Sequence, residues 1–499
     1  MSKNIRSLGI LAGVVLGIFL LGYVTGHIAL VTFIFKAILL ILISITILVT
    51  VHELGHFLAA KAFGMRVEVF SIGFPPKLFS FRRGETDYQI GATPLGGYVK
   101  IAGMIDESFD RDVIDRQKAQ EQAEKTGKDT SSFGPRPWEF RAKPVWQRLI
   151  VMVAGVVMNV ILGITILSVM KYIYGAERTP MSEIEDGIIV VDNSVGQKLG
   201  FQNCDEIISY KGETYTYLEE YEDAGKIIAD DAWYEVKRDG KIIRLDMPNN
   251  AQNYLSSKKL QPYLFTYKPT SHLTLIKSAQ YTGSGLKIEP TARKAGMDSG
   301  DRILKLDDQS IFWFEDIRKF LKGKENQEIL ATVLRGNDTL QFNISLDEHA
   351  YLGVRPFVEQ IEFSPWGALA AGTEAAFTAV FLNAQGFKNI ATKEEVTAQE
   401  NVMGMFQIAY RFVEAWNSGG IPAFLQLTAL LSMILAFINI LPIPALDGGH
   451  IVFLLIELIT RREPSVKVKL VAQQIGILLI LALMLFVLGN DIFQLASGG

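Results

Sequence analysis

A single cysteine, Cys204, among 499 residues excludes an intrachain disulfide and a thiolate cluster as a metal site. A transition metal here must take its ligands from carboxylates and from only six histidines. Net charge is also sparse: −4, with a pI near 6.0, leaves no broad basic surface and argues against nucleic acid as a partner. Apolar residues, by contrast, are plentiful. They make up 49% of the chain, and a mean hydropathy of +0.22 over several domain lengths points to a membrane-embedded portion carrying soluble parts.

Apolar runs long enough to cross hydrocarbon occur at about 8–24, 31–60, 146–170, 421–441 and 470–488. The first follows Lys3 and Arg6 and resembles a signal peptide, but no convincing small-residue cleavage site follows, so a retained extra span is expected. Five crossings place Lys3 and Arg6, the Lys61–Arg83 region, Lys143 with Arg148, and Arg461, Arg462, Lys467 and Lys469 on the cytoplasmic side, with 171–420 outside. The segment 366–386 is apolar enough to suggest another crossing. Thr373, Glu374 and Thr378 interrupt it, and it is read as an amphipathic helix on the outer surface.

Within the second run stands His52-Glu53-Leu54-Gly55-His56. Helical positions i and i+4 share a face, so the two histidines can hold one metal ion while Glu53 addresses its water and Gly55 leaves room beside them. An unpaired ionisable residue in hydrocarbon is strongly disfavoured, so Glu53 at this depth argues for a working site over a chance match. A catalytic zinc site takes three protein ligands and keeps one position open. Asp447 is the best third candidate: Pro442 and Pro444 end the preceding apolar helix and unwind the backbone at membrane depth, which is tolerated only where it is buried or lines a wet cavity. His450 is a competing ligand.

These residues resemble the site-2 protease family of intramembrane zinc metalloproteases, in particular its bacterial regulator of sigma-E protease group. The likeness spans most of the chain: HELGH at 52–56, FSIGFPP at 70–76, PLGGYVK at 94–100, Ala154-Gly155 followed by Asn159, and 439–448. It implies His52, His56 and Asp447 as zinc ligands and Glu53 as the catalytic group that activates water. It further implies Asn159 and Asn439 as polar support near the active site, with Pro442, Gly96, Gly97 and Tyr98 as further substrate-binding or supporting positions. Val156 stands where the family often has proline, and Pro75 where it often has glycine; neither is a ligand.

The likeness implies a polytopic α-helical membrane protein with a membrane-associated β-hairpin region and two tandem extracytoplasmic PDZ-like domains. Residues 67–102 alternate apolar and polar side chains with interspersed glycines, a pattern of strands and turns whose edge could receive an unwound substrate. A soluble hairpin is the plainer alternative. An internal repeat sets 199–208 beside 295–304, with Gly200, Asp205 and Ile207 matching Gly296, Asp301 and Ile303. Both copies resemble the helix-turn-strand of PDZ domains.

The expected order is an additional N-terminal membrane segment over 1–30, a helix with HExxH over 31–65, a membrane-reentrant β region over 66–104 and a charged cytoplasmic linker over 105–143. A membrane helix over 144–171 precedes PDZ-like domains over 172–266 and 267–358, an amphipathic surface segment over 359–420, a helix with the Leu446-Asp447-Gly448 motif over 421–460 and a last helix over 461–499. The function implied is site-2 cleavage of single-span membrane proteins, anti-sigma-factor-like proteins or remnant signal peptides, in the bacterial inner membrane, after an upstream site-1 protease has acted. The PDZ pair would admit or bind peptide segments. The competing reading is an inactive membrane scaffold that uses the PDZ pair to bind envelope proteins.

Overall fold

The computed structural model describes residues 26–104, 111–126, 134–227, 229, 231–248, 251, 254, 264–275, 280–281, 287–288, 290–392 and 404–496. The expected first apolar segment at 8–24 lies outside them. The chain divides into two compact units, one of 1–173, 364–387 and 402–499, the other of 174–363 and 388–401.

In the first unit, α1 (Ile28–Ala62) carries the HELGH sequence; at about 1.5 Å per residue it is longer than a hydrocarbon core of roughly 30 Å. Its end is set by Gly64, whose φ of 65° a residue with a Cβ rarely adopts. Then come β1 (Val67–Arg83) and β2 (Thr86–Ile101), α2 (Arg111–Lys125) and α3 (Val145–Tyr174). After the second unit, the chain returns as α4 (Pro365–Thr392), α5 (Met405–Ile440), α6 (Asp447–Thr460) and α7 (Val466–Ala496). Among the described residues four helices are long and apolar enough to cross a membrane: Ile28–Ala62, Val145–Tyr174, Phe406–Ile440 and Val466–Asp491. Four such helices together with β-sheet fit a multi-pass membrane protein.

Three segments differ from the expectation. The helix expected to start at 421 begins at Met405, and position 421 follows a kink where Gly420 takes φ 60°, ψ −139° just before Pro422. Residues 359–420 are therefore not one surface segment. Within them α4 buries Ala368, Gly372 and Ala376, a stripe of small residues at i, i+4, i+8, and a Cβ at Gly372 would meet Ser168 of α3 at 2.3–2.6 Å. The small residues let the backbone of α4 approach α3 closely, while Leu369, Phe377 and Phe381 stay exposed on its other faces. In the linker over 105–143, whose charged stretch reads as a solvated helix or flexible linker, α2 is helical but docked: Ile114 is buried with Val466 against Leu470, and Arg116 pairs with Glu139 at 2.9 Å.

β1 and β2 both fold back, so four extended segments lie side by side in the order 97–101, 67–72, 86–91 and 77–83. The first pair packs on α1 and α3 through Val67, Phe70, Val99 and Ile101. The far pair leaves Leu78, Phe79, Phe81 and Ile90 exposed.

The second unit contains the repeat as structure. The helix Val195–Lys198 leads by a turn to β3 (Glu206–Tyr210), which pairs with β4 (Trp233–Arg238) and then β5 (Lys241–Asp246). The helix Thr291–Lys294 leads likewise to β6 (Arg302–Leu306), in a sheet with β7 (Gln309–Ser310), β8 (Glu328–Arg335) and β9 (Asp338–Ser345). Each copy has its own apolar core, one around Phe201, Tyr221 and Tyr234, the other around Leu306, Ile317 and Val333. In both, a fully buried aspartate is gripped by an arginine from the second long strand: Asp205 by Arg238 at 2.7 Å, Asp301 by Arg335 at 2.6 and 2.9 Å.

Candidate metal centre

His52 and His56 face inward from α1, and Asp447 meets them from the first turn of α6. His52 Nε2 lies 3.1 Å and His56 Nε2 3.4 Å from Asp447 Oδ2, and the two nitrogens are 3.2 Å apart. Ligand bonds of about 2.0–2.1 Å in tetrahedral geometry separate neighbouring donors by roughly 3.3–3.4 Å, so this triangle has the size zinc requires.

The hydrogen-bond partners of the two rings suit metal ligation. His56 Nδ1 is 2.8 Å from the Val151 carbonyl, which can only accept, so that nitrogen donates and Nε2 keeps its lone pair. His52 Nδ1 faces the Asn159 amide at 3.1 Å. Asn159 Oδ1 is buried without a partner, and a half-turn of the amide sets it against Nδ1–H, again freeing Nε2. Asp447 Oδ2 is buried with no hydrogen-bond donor. With the two rings neutral and protonated at Nδ1, the two Nε2 atoms and Asp447 Oδ2 present three lone pairs to one point, a donor set that suits a cation.

Several local features hold this geometry. The loop before Asp447 is wedged tightly: a Cβ at Gly448 would lie 2.0 Å from the Leu441 carbonyl, one at Gly449 2.6 Å from that of Ile443, and one at Gly476 of α7 1.2 Å from that of Pro444. Pro442 is exposed and marks the end of α5. Asn439 Nδ2 approaches His52 Nε2 at 3.4 Å, on the metal side of the ring. Ser432 Oγ donates to the Asn159 carbonyl at 2.8 Å, tying α5 to α3 behind the site.

Glu53 lies beside the sheet. The Val99 backbone hydrogen-bonds its carboxylate, and a Cβ at Gly97 would stand 3.4 Å from its Cγ and 2.7 Å from the Ser71 carbonyl. Gly97 therefore lets the edge segment 97–101 lie against the helix at Glu53. Gly96 and Tyr98 serve the hairpin's own packing: a Cβ at Gly96 would strike the Phe74 ring at 2.3 Å, and Tyr98 stacks on that ring with planes 4° apart. His450, the competing ligand, is not in the triangle and lines a cavity with Arg148 and Glu457.

Gly55 leaves room at the site as its position in the sequence suggests, and Gly155 joins it in a role that the sequence does not reveal. A Cβ at Gly155 would lie 2.4 Å from His56 Nε2 and 2.7 Å from His52 Cε1, and one at Gly55 2.3 Å from the Ala154 carbonyl. These glycines let α1 and α3 cross at the histidines. The Ala154-Gly155 pair was visible in the sequence, but what it packs against was not.

Comparison with known proteins agrees with this chemistry. The chain belongs to peptidase family M50, whose profile matches residues 40–483. A protein of Xylella fastidiosa (strain 9a5c) named as a zinc metalloprotease is 28% identical over 92% of this chain and 99% of its own length. The regulator of sigma E protease of Haemophilus influenzae is 26% identical over 91% and 98%. A Thermotoga maritima protein, also named as a zinc metalloprotease, is 23% identical over 90% and 98%. The protein is a zinc-dependent metalloprotease.

Proposed function

We propose that this chain is a site-2 protease that cuts single-span membrane proteins within or beside their apolar segment, with His52, His56 and Asp447 as the zinc ligands and Glu53 as the general base. The observation that carries this reading is the triangle of three potential ligand atoms from His52, His56 and Asp447 on helices of membrane-spanning length and the loop between them, with one further carboxylate, Glu53, beside it. Zinc bound there supplies Lewis acidity toward both a water and the scissile carbonyl.

Glu53 takes the proton from the attacking water and delivers it to the leaving amine. Asn159 holds His52 in the metal-binding tautomer, and Asn439, on the open side of the same ring, orients the substrate carbonyl. A substrate helix must unwind before it can be cut, and the edge segment 97–101 at Glu53 is placed to receive the freed strand by backbone pairing. On this reading the sheet is membrane-reentrant, which suits the exposed Leu78, Phe79 and Phe81.

The two repeats of the second unit act as PDZ-like domains outside the cytoplasm that exclude substrates until a site-1 protease has shortened them. The bilayer is the bacterial inner membrane, with the metal centre toward its cytoplasmic half. α4 is a lipid-facing helix packed on α3. Cleavage of a tagged single-span reporter in reconstituted membranes, compared between wild type and Glu53→Gln with zinc measured in both, tests the reading. Lost cleavage with zinc retained is expected; equal cleavage rejects it.

A further inference from the structure

The two repeats of the second unit are joined by a short stretch of chain. Leu264 and Phe265 are buried in the first core and Leu273 and Leu275 in the second, so residues 266–272 make the passage between them. At this junction the first repeat offers Glu183, whose neighbours Met181 and Ile184 pack on its core. The second offers His272, next to the buried Leu273.

His272 Nδ1 lies 2.8 Å from Glu183 Oε1, and Thr270 Oγ1 donates to Glu183 Oε2 at 2.9 Å. The ring is fixed from its own side as well: it stacks on Phe357 with centroids 3.9 Å apart, and its Nε2 lies 3.0 Å from the Gly300 carbonyl oxygen. A carbonyl and a carboxylate can only accept, so both ring nitrogens must donate, and only the imidazolium does that. A neutral ring would turn a lone pair toward one of the two acceptors. The carboxylate agrees with this. Burial pushes the Glu183 carboxyl up, but the hydrogen bonds from His272 and Thr270, with the charges of His272 and Arg302, hold it below the usual glutamate range. The neighbouring charged groups are matched: Arg302 gives Nη2 to Glu185 at 2.9 Å, Asp301 accepts from Arg335 at 2.6 Å, and Arg355, two residues before Phe357, pairs with Glu177 at 2.6 Å.

We propose that His272 and Glu183 form a proton-operated latch between the two repeats, closed while the imidazole carries its proton and released when it loses it. The sign follows from the donors. Below the imidazole range both nitrogens donate and the repeats are tied; as pH rises through that range, with Glu183 ionised throughout, one hydrogen bond gives way to a lone pair facing an acceptor. The Arg302–Glu185 pair involves no histidine and stays as a second tether, so the repeats gain freedom about 266–272 while remaining attached. The latch does not depend on the proteolytic reading, because it concerns the two repeats alone.

The test measures the separation of the repeats in the full-length protein in detergent, by electron–electron double resonance between spin labels on the exposed Cys204 of the first repeat and on Asn337→Cys of the second. A Glu222→Gln background removes the other group expected to titrate in this span. Between about pH 5.5 and about pH 8.5, a range that brackets imidazole titration, a narrow distance distribution is expected to give way to a broader one. The ratio of closed to open repeats should fall about ten-fold, the loss of one charge-assisted hydrogen bond. His272→Phe keeps the stack on Phe357 with no proton to lose, and Glu183→Gln offers an amide that pairs with either state of the ring. Each is expected to give one distribution at every pH. A background protein whose distribution is the same across the series overturns the proposal, as does a pH response that either folded variant retains.

Discussion

Gly155 of α3 stands directly against His56 of α1: the Cβ that any other residue would carry lies 2.4 Å from Nε2, the atom facing Asp447. The helix crossing and the metal centre are thus one piece of geometry. Gly155→Ala is expected to fold and insert but to lower zinc affinity by at least about ten-fold, since displaced ligands lose that order of binding. Zinc per protein by mass spectrometry, beside helix content by circular dichroism, checks it.

Asn159 is fully buried and touches His52 on the side away from Asp447. Asn159→Leu removes the partner that sets the ring's tautomer, and metal affinity should fall about 10–100-fold. A zinc titration with a competing chelator reads this directly. Asn159→Asp, which restores an acceptor for Nδ1–H, should recover most of the loss.

The buried aspartates of the two repeats serve stability. Asp301 accepts from Arg335 and from the Asp298 amide at 2.9 Å, as Asp205 does from Arg238 and the Gln202 amide at 2.9 Å. Asp301→Ala should weaken the second repeat by about 2–3 kcal/mol, the worth of a charge-assisted hydrogen bond plus a stranded amide. Denaturant-dependent hydrogen exchange over β6, β8 and β9 in the full-length protein would show it, with β3–β5 unchanged.

Glu222 follows the short helix Leu218–Tyr221 of the first repeat, and burial, followed by repulsion from Glu219, pushes its carboxyl up to about 7. An acid whose folded-state pKa is raised holds its proton better folded than unfolded. The first repeat should therefore lose stability as pH rises from the ordinary glutamate range to about 7, with no further loss from this group above that. Protease resistance of that repeat at pH 5 against pH 8 measures the slope, and Glu222→Gln should flatten it.

Much of the site was legible because its chemistry is local in sequence. His52, Glu53 and His56 share one helical turn, so periodicity alone places them on a face, and the prolines around Asp447 announce a break in an apolar helix. The supporting contacts were not legible in this way. Arg238 and Arg335 stand more than thirty residues beyond the aspartates they grip, and nothing in their neighbourhoods distinguishes them from other strand arginines. The kink at Gly420 looks like a helix start in the sequence because the residues before it, including Arg411 and Glu414, are polar enough to resemble surface. The small-residue stripe of α4 reads as weak amphipathicity in one dimension and becomes a packing face only beside Ser168.

The amino-acid sequence by itself determined the metal chemistry and the apolar segments that surround it, because side-chain type and helical period need no distant partner. Only the tertiary structure decided that three donor atoms meet within 3.1–3.4 Å and that two glycines let the helices close on them. Those facts depend on which surfaces pack together, and packing joins residues hundreds of positions apart that no local pattern relates.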